Sequence, residues 1–176
     1  TGTAFMHDMG LSNSVGVNAF GDCTNGQKKC YKFPNGVNKN SSHEVSDEVM
    51  EKIVFYLSSL SPPKRRNVSD KDVLYGKKIF YESKCTACHT PKYVTSKNAK
   101  HDFLKYQLIW PYTDLLLHDM GDELADLDIN GNITNKEWKT PPLWGIGYAK
   151  EVNSRATFLH DGRANTLLEA VLWHSG

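Results

Sequence analysis

The sequence predicts a mainly α-helical, loop-rich fold, and three observations carry that prediction. Apolar residues recur at three- and four-residue spacing over 46–60, over 72–82 and again after Thr166, the period of an amphipathic helix. Between these stretches turn-forming residues accumulate. Gly, Pro, Asn, Asp and Ser supply 58 of the 176 residues, so turns take up more of the chain than long regular elements do. Hydrophobic residues make up only 39%, enough for one modest core. So thin a core calls for a staple, a metal or a large cofactor. The charges balance, 21 basic against 20 acidic, which gives no basic field for nucleic acid and no acidic block typical of disorder. No uncharged stretch, 11–21 and 140–149 included, is long enough for a membrane span.

Taken in order, residues 1–62 read as an N-terminal extension and 63–176 as the main domain. Cys23 and Cys30 flank a short loop in which Asn25-Gly26 can reverse the chain. That spacing suits a disulfide, which places the chain in an oxidising compartment. The helix over 46–60 rests on Val45, Val49, Ile53, Leu57 and Leu60. It ends at Ser61-Pro62-Pro63, because neither proline can donate to a helix. Lys64-Arg65-Arg66 then reads as a solvated basic connector.

A second helix over 72–82, with Val73, Leu74, Ile79 and Phe80, delivers the chain to Cys85. Residues 90–113 read as irregular, with Pro91 and Pro111 among scattered aromatics. The string His-Asp-Met-Gly occurs at 7–10 and at 118–121, but the flanking residues do not match, so no solenoid is implied. Thr166-Leu-Leu-Glu169 has the form of a capping box and opens the last helix. On it Leu167, Ala170, Val171 and His174 share one face. The chain begins at Thr1 rather than Met, and a processed product or a fragment is expected.

Cys85-Thr-Ala-Cys88-His89 is the chemically decisive string. Cys-x-x-Cys-His is the attachment signal for c-type haem: two thiols add to the porphyrin vinyl groups, and the adjacent imidazole becomes an axial ligand of the iron. Structural zinc would need two further Cys or His ligands at short spacing. A thioredoxin-like pair would need a strand before it and a helix after it, whereas here a helix precedes and Pro91 follows. The second axial position decides between electron transfer and an open, reactive iron. Candidates for it are His7, His43, His101, His118, His160, His174 and the methionines. His174 leads because its helix carries it on the apolar face, with His118 and Met120 as the rival pair.

These strings, taken with their neighbours, resemble a known family. Gly76-Lys-Lys-Ile-Phe80 precedes the Cys-x-x-Cys-His string, and Pro111-Tyr-Thr-Asp-Leu-Leu-Leu-His118-Asp-Met-Gly121 follows it. Then come Glu137-Trp138-Lys-Thr-Pro-Pro-Leu-Trp144-Gly-Ile-Gly147 and Phe158-Leu-His160-Asp-Gly-Arg163 with its helix ending at His174. In this order they resemble the di-haem oxidoreductase (thiol-oxidoreductase-like) family, within the bacterial di-haem cytochrome c peroxidase superfamily. The resemblance implies a cytochrome c-like haem domain with an N-terminal extension, incomplete at its C-terminus. It implies His174 as distal ligand, and His160 and Arg163 in the haem environment. It also implies a partner, either a second haem domain or a redox protein, because one Cys-x-x-Cys-His cannot hold two covalent haems. The chain is therefore expected to be the C-terminal haem portion of a longer protein.

A second metal signal lies in Asp126-Leu-Asp128-Ile-Asn130-Gly131-Asn132-Ile-Thr-Asn-Lys-Glu137. Asp126, Asp128, Asn130, Asn132 and Glu137 fall where an EF-hand loop places calcium ligands. Pro141-Pro142 soon after argues against a full exiting helix, and a plain Asn/Asp-Gly turn is the competing reading. The function expected overall is a periplasmic or otherwise extracytoplasmic electron-transfer module with one covalent haem c. A self-standing mono-haem carrier, or a peroxidase-type enzyme with a labile distal ligand, are the alternatives.

Overall fold

The computed structural model describes residues 1–18, 20–21, 23–37 and 39–175. It comprises two compact units, Thr1–Ser61 and Pro62–Gly176.

The first unit is held by polar groups as much as by apolar ones. Helix α1 (Gly2–His7) leads into a loop whose Ser12 and Asn13 are almost fully buried. The Asn13 side-chain amide donates to the Gly2 carbonyl at 2.8 Å, and the Ser12 amide and hydroxyl both donate to the Glu44 carboxylate at 3.0 Å. Gly16 packs against Met6 so closely that a Cβ there would sit 1.7 Å from the sulfur and would force the Met6 side chain aside. Cys23 and Cys30 are joined by a disulfide, and the Tyr31 hydroxyl donates to the Cys23 carbonyl at 2.6 Å. Helix α2 (Asp47–Ser59) starts at Ser46, whose hydroxyl accepts from the Val49 amide, and stops before the two prolines.

The second unit opens with helix α3 (Lys71–Glu82), capped by Asp70, and a 3-10 turn, Cys85–Ala87, that carries the cysteine pair. Three two-stranded antiparallel sheets follow. Strand β1 (Tyr93–Val94) pairs with β2 (Leu108–Ile109), β3 (Leu117–Asp119) with β6 (Glu137–Lys139), and β4 (Asp126–Leu127) with β5 (Ile133–Asn135). Helix α4 (Ala149–Val152) and helix α5 (Leu167–Leu172) come last. The Thr166 hydroxyl accepts from the Glu169 amide, and the Glu169 carboxylate accepts from the Asn165 amide, so the predicted cap forms.

The mainly α, cytochrome c-like fold expected from the sequence is corrected here. Among the described residues, helix of all kinds accounts for 34%, against 11% strand, and five α-helices are joined by small antiparallel sheets. The physical reason is the turn content. Residues 90–140 carry too many Pro, Asp, Asn and Gly for a helix, and their backbone groups find partners instead across short ladders. The two His-Asp-Met-Gly strings have different roles: His7 ends α1, whereas His118 lies in β3 opposite Trp138. They share only a terminal glycine with positive φ, +69° at Gly10 and +81° at Gly121.

Little of the second unit's apolar surface is enclosed. Among the described residues its buried apolar side chains are Leu124, Ala125 and Ala164. Leu115, Leu116 and Leu117 are 55–61% exposed, and Leu168, Val171 and Leu172 on α5 are 60–69% exposed. Apolar surface on this scale marks a place where something else packs.

Candidate haem-binding site

His89 and His174 meet in the second unit. Their ring centroids are 6.4 Å apart, with 50° between the ring planes. The His89 Nδ1 lies 2.9 Å from the Tyr112 carbonyl, and the His174 Nδ1 lies 2.7 Å from the Ala170 carbonyl. Each imidazole thus commits Nδ1–H to a backbone oxygen, which leaves Nε2 as the lone-pair nitrogen on both rings. This is the arrangement by which proteins fix the tautomer of a metal-ligating histidine. Burial above all holds the His89 imidazole below its ordinary pKa, with the nearby His174 adding to the effect, so the neutral ligand form is favoured.

The elements that aim His89 are legible residue by residue. Lys84, at φ +59°, turns the chain out of α3 and into the cysteine turn, and the His89 amide donates to the Cys85 carbonyl at 2.9 Å. Phe80 on α3 lies 6.2 Å from the His89 ring and edge-on to Tyr112 at 5.7 Å. The segment 111–116 is then bound to the Cys-x-x-Cys-His region by two backbone bonds. The Thr113 amide donates to the Thr90 carbonyl at 3.0 Å, and the Asp114 amide donates to the Cys88 carbonyl at 2.8 Å. Tyr112 and Leu115 both hold positive φ, +55° and +61°, a strained conformation that the surrounding bonds enforce.

The Thr-Pro-Pro-Leu string secures that segment from the other side. The buried Thr113 hydroxyl donates to the Thr140 carbonyl at 2.6 Å. The Thr140 amide donates to the Leu116 carbonyl at 2.9 Å, and the Leu143 amide to the Pro111 carbonyl at 2.8 Å. Sequence reasoning missed Tyr112, Thr113, Asp114, Thr140 and Ala170 as site residues. Three act through backbone atoms, which no motif advertises. The Ala170–His174 bond alone follows from helical i, i−4 spacing.

Other predicted residues take definite places. His118 gives its Nε2–H to Asp114 at 2.7 Å, and Asp114 in turn is held below the ordinary carboxylate range, first by the Leu116 amide. Cys88, Asp114 and His118 are the one group of three or more His, Cys, Asp or Glu within common metal reach among the described residues. Burial, with the Asp114 charge, pushes the Cys88 thiol up. Met120 lies beyond β3, where its amide donates to Lys136. His160 stacks on Trp138 at 3.6 Å and 9°, with Nε2 3.4 Å from Asp126. Arg163 pairs with Asp161 at 2.6 Å, donates to the Glu123 carbonyl, and lies 5.2 Å over Trp173, the neighbour of His174.

The residues of the calcium-loop signal are spread over two strands and the turn between β4 and β5. Asp126 is in β4 and Glu137 in β6, while Asn130 and Asn132 lie in the turn between β4 and β5. The Asp128 carboxylate accepts from the amides of Asn130 and Asn132 and from the Asn132 side chain at 2.8–2.9 Å.

The donor set fits a covalently held haem. Cys85 and Cys88 are free thiols, partly exposed, three residues apart on one turn and directly followed by His89. Two imidazoles bonded at about 2 Å to opposite sides of one metal would hold their ring centres roughly 6 Å apart. The 6.4 Å between His89 and His174 matches that separation. A large apolar macrocycle also accounts for the open leucines around this region.

Comparison with known families identifies the family of the chain. The family model described as "Di-haem oxidoreductase, putative peroxidase" matches residues 6–176, nearly the whole chain, and the chain belongs to that family. The resemblance drawn from the ordered motifs is thereby borne out. Searches against curated proteins and against solved structures returned no match. No helix among the described residues is long and apolar enough to cross a membrane.

Proposed function

We propose that this chain is an electron-transfer module of a di-haem oxidoreductase, carrying one haem c bonded at Cys85 and Cys88 with His89 and His174 as its axial ligands. The observation that carries the reading is the neighbouring pair of imidazoles, 6.4 Å apart, each with Nδ1 given to a backbone carbonyl and Nε2 left to bind. Bound haem supplies a reversible one-electron couple. The chain's own residues then set its character. His89 and His174 would both hold the iron of a bound haem and so would exclude substrate from it. The Tyr112 and Ala170 carbonyls hold the two rings in one tautomer and raise their basicity. Two nitrogen ligands favour the oxidised state more than a histidine–thioether pair does.

Electrons would pass to or from a second haem domain or a redox partner protein, and the module would work outside the cytoplasm, in the periplasm. The Cys23–Cys30 disulfide and the chemistry of haem attachment both support that location. Peptide mass mapping of the native protein tests attachment, which should place one haem on the fragment containing Cys85 and Cys88. The optical spectrum tests ligation. The native protein should be low-spin and six-coordinate, and His174→Ala should turn it high-spin. A His174→Ala protein that stays low-spin would remove His174 from the site, and an open sixth position in the native protein would favour a peroxidase-type reaction instead.

A further inference from the structure

Lys64-Arg65-Arg66 reads in sequence as a solvated connector, yet the fold sets part of it beside Trp110 together with two lysines from elsewhere. The Arg65 guanidinium lies 5.5 Å from the Trp110 ring centre, the Lys92 ammonium 5.6 Å and the Lys77 ammonium 5.8 Å. Arg65 belongs to the connector, Lys77 to α3, and Lys92 follows His89 by three residues, so three separate segments bring charge to one indole. Arg66 behaves differently. It pairs with Glu151 at 2.5 Å, donates to the Gly147 carbonyl at 2.7 Å and stacks on Tyr148 at 4.4 Å. Among the described residues, Arg65, Lys77 and Lys92 have no such acidic partner.

Three cations around one ring repel one another, and the indole quadrupole offsets that only in part. A negative ligand among them would relieve the repulsion. Space for one exists: Arg65 and Trp110 line a cleft of about 450 Å³, walled also by Lys64, Tyr112, Trp144 and Tyr148. That volume falls in the range of small-molecule sites, and its concave form suits a small ligand better than the flat face of a protein. Aromatic walls with a cationic rim select an anion, and the Arg65 fork can hold a carboxylate or phosphate through two parallel bonds.

We propose that this cleft binds a small polyvalent anion of the carboxylate or phosphate class, held by Arg65 and Lys64 in its wall, with Lys77 and Lys92, on the same indole, adding to the positive field. Tyr112 links the cleft to the metal-ligand pair, because its side chain forms part of the wall and its carbonyl receives the His89 Nδ1–H. The site does not depend on the axial assignment of His174.

Calorimetric titration of the full chain, carrying its haem, with citrate and separately with inorganic phosphate tests the proposal. Saturable binding that weakens as salt rises is expected. In Arg65→Gln/Lys64→Gln the affinity should drop about ten-fold or more, the loss expected when charge-assisted bonds are removed. Lys150→Gln, whose ammonium lies over Phe158 on α4, should bind as the native chain does. Absence of saturable binding to either anion overturns the proposal, as does an unchanged affinity in the double variant. A double variant that shifts the haem midpoint potential, while the native chain binds neither probe, assigns the cations to the haem's own carboxylates and likewise overturns it.

Discussion

The Thr113 hydroxyl donates to the Thr140 carbonyl at 2.6 Å, and both residues are more than nine-tenths buried. This bond joins the segment that supports His89 to the strand-end that precedes Pro141-Pro142. Thr113→Val keeps the shape but leaves the Thr140 carbonyl without its partner and the Leu115 amide without its acceptor. A buried unsatisfied group costs about 1–3 kcal/mol, and a loss of that size is expected in denaturant melts. The functional consequence should appear at His89. If the Tyr112 carbonyl loses its place, the low-spin spectrum of Thr113→Val should become temperature-dependent well below the melting point. Thr113→Ser, which restores the hydroxyl, should restore the spectrum.

The rival ligand His118 is already engaged. Its Nε2–H is given to Asp114 at 2.7 Å, on the segment that also bonds Cys88. His118→Ala is therefore expected to leave the haem six-coordinate and low-spin, measured side by side with His174→Ala. A high-spin His118→Ala protein would exchange the roles of the two histidines. His174→Met separates the two further, since a thioether in place of the imidazole should raise the midpoint potential.

How much of this was open to reading in the sequence depends on whether a residue acts through its side chain or its backbone. Cys85, Cys88 and His89 announce themselves by spacing, and His174 by its place after the Thr166 cap on a helix face. Tyr112 and Ala170 matter through carbonyl oxygens, which every residue has, so no pattern could single them out. The β3–β6 pairing escaped for a related reason: three residues are too few to display strand alternation, and Leu115-Leu116-Leu117 reads as plain apolar chain. The calcium-loop residues carry a further role that spacing does not show: Asp128 accepts the amides of the turn between β4 and β5. Lys77 and Lys92 are fifteen positions apart, and only the fold shows them sharing Trp110.

The disulfide of the first unit closes a loop with a sequence separation of 7. Loop-closure entropy for so short a loop gives roughly 2.5 kcal/mol. Reduction, or Cys23→Ser/Cys30→Ser, should lower the stability of the first unit by about that amount. Hydrogen exchange should report it at the Gln27 and Cys30 amides, which donate to Thr24 and Gln27 within the loop. The haem spectrum provides an internal control, since the proposed ligands all lie in the second unit, and it should not change.

Glu44 gives the first unit an acid limit. Its carboxylate accepts from the Ser12 amide, the Ser12 hydroxyl and the Gly36 amide at 2.7–3.0 Å. These bonds, the Ser12 amide first, hold it below the ordinary glutamate value. A carboxyl with a depressed folded pKa contributes stability that is complete above the unfolded value, about 4.3, and disappears as pH falls through the folded value. Protection of the Ser12 and Gly36 amides from exchange should therefore hold at neutral pH and fall away below about pH 4. In Glu44→Gln that loss should already be present at neutral pH and should vary little with acid, at a cost of about 1 kcal/mol. Equal acid sensitivity in the two proteins would place the titrating group elsewhere.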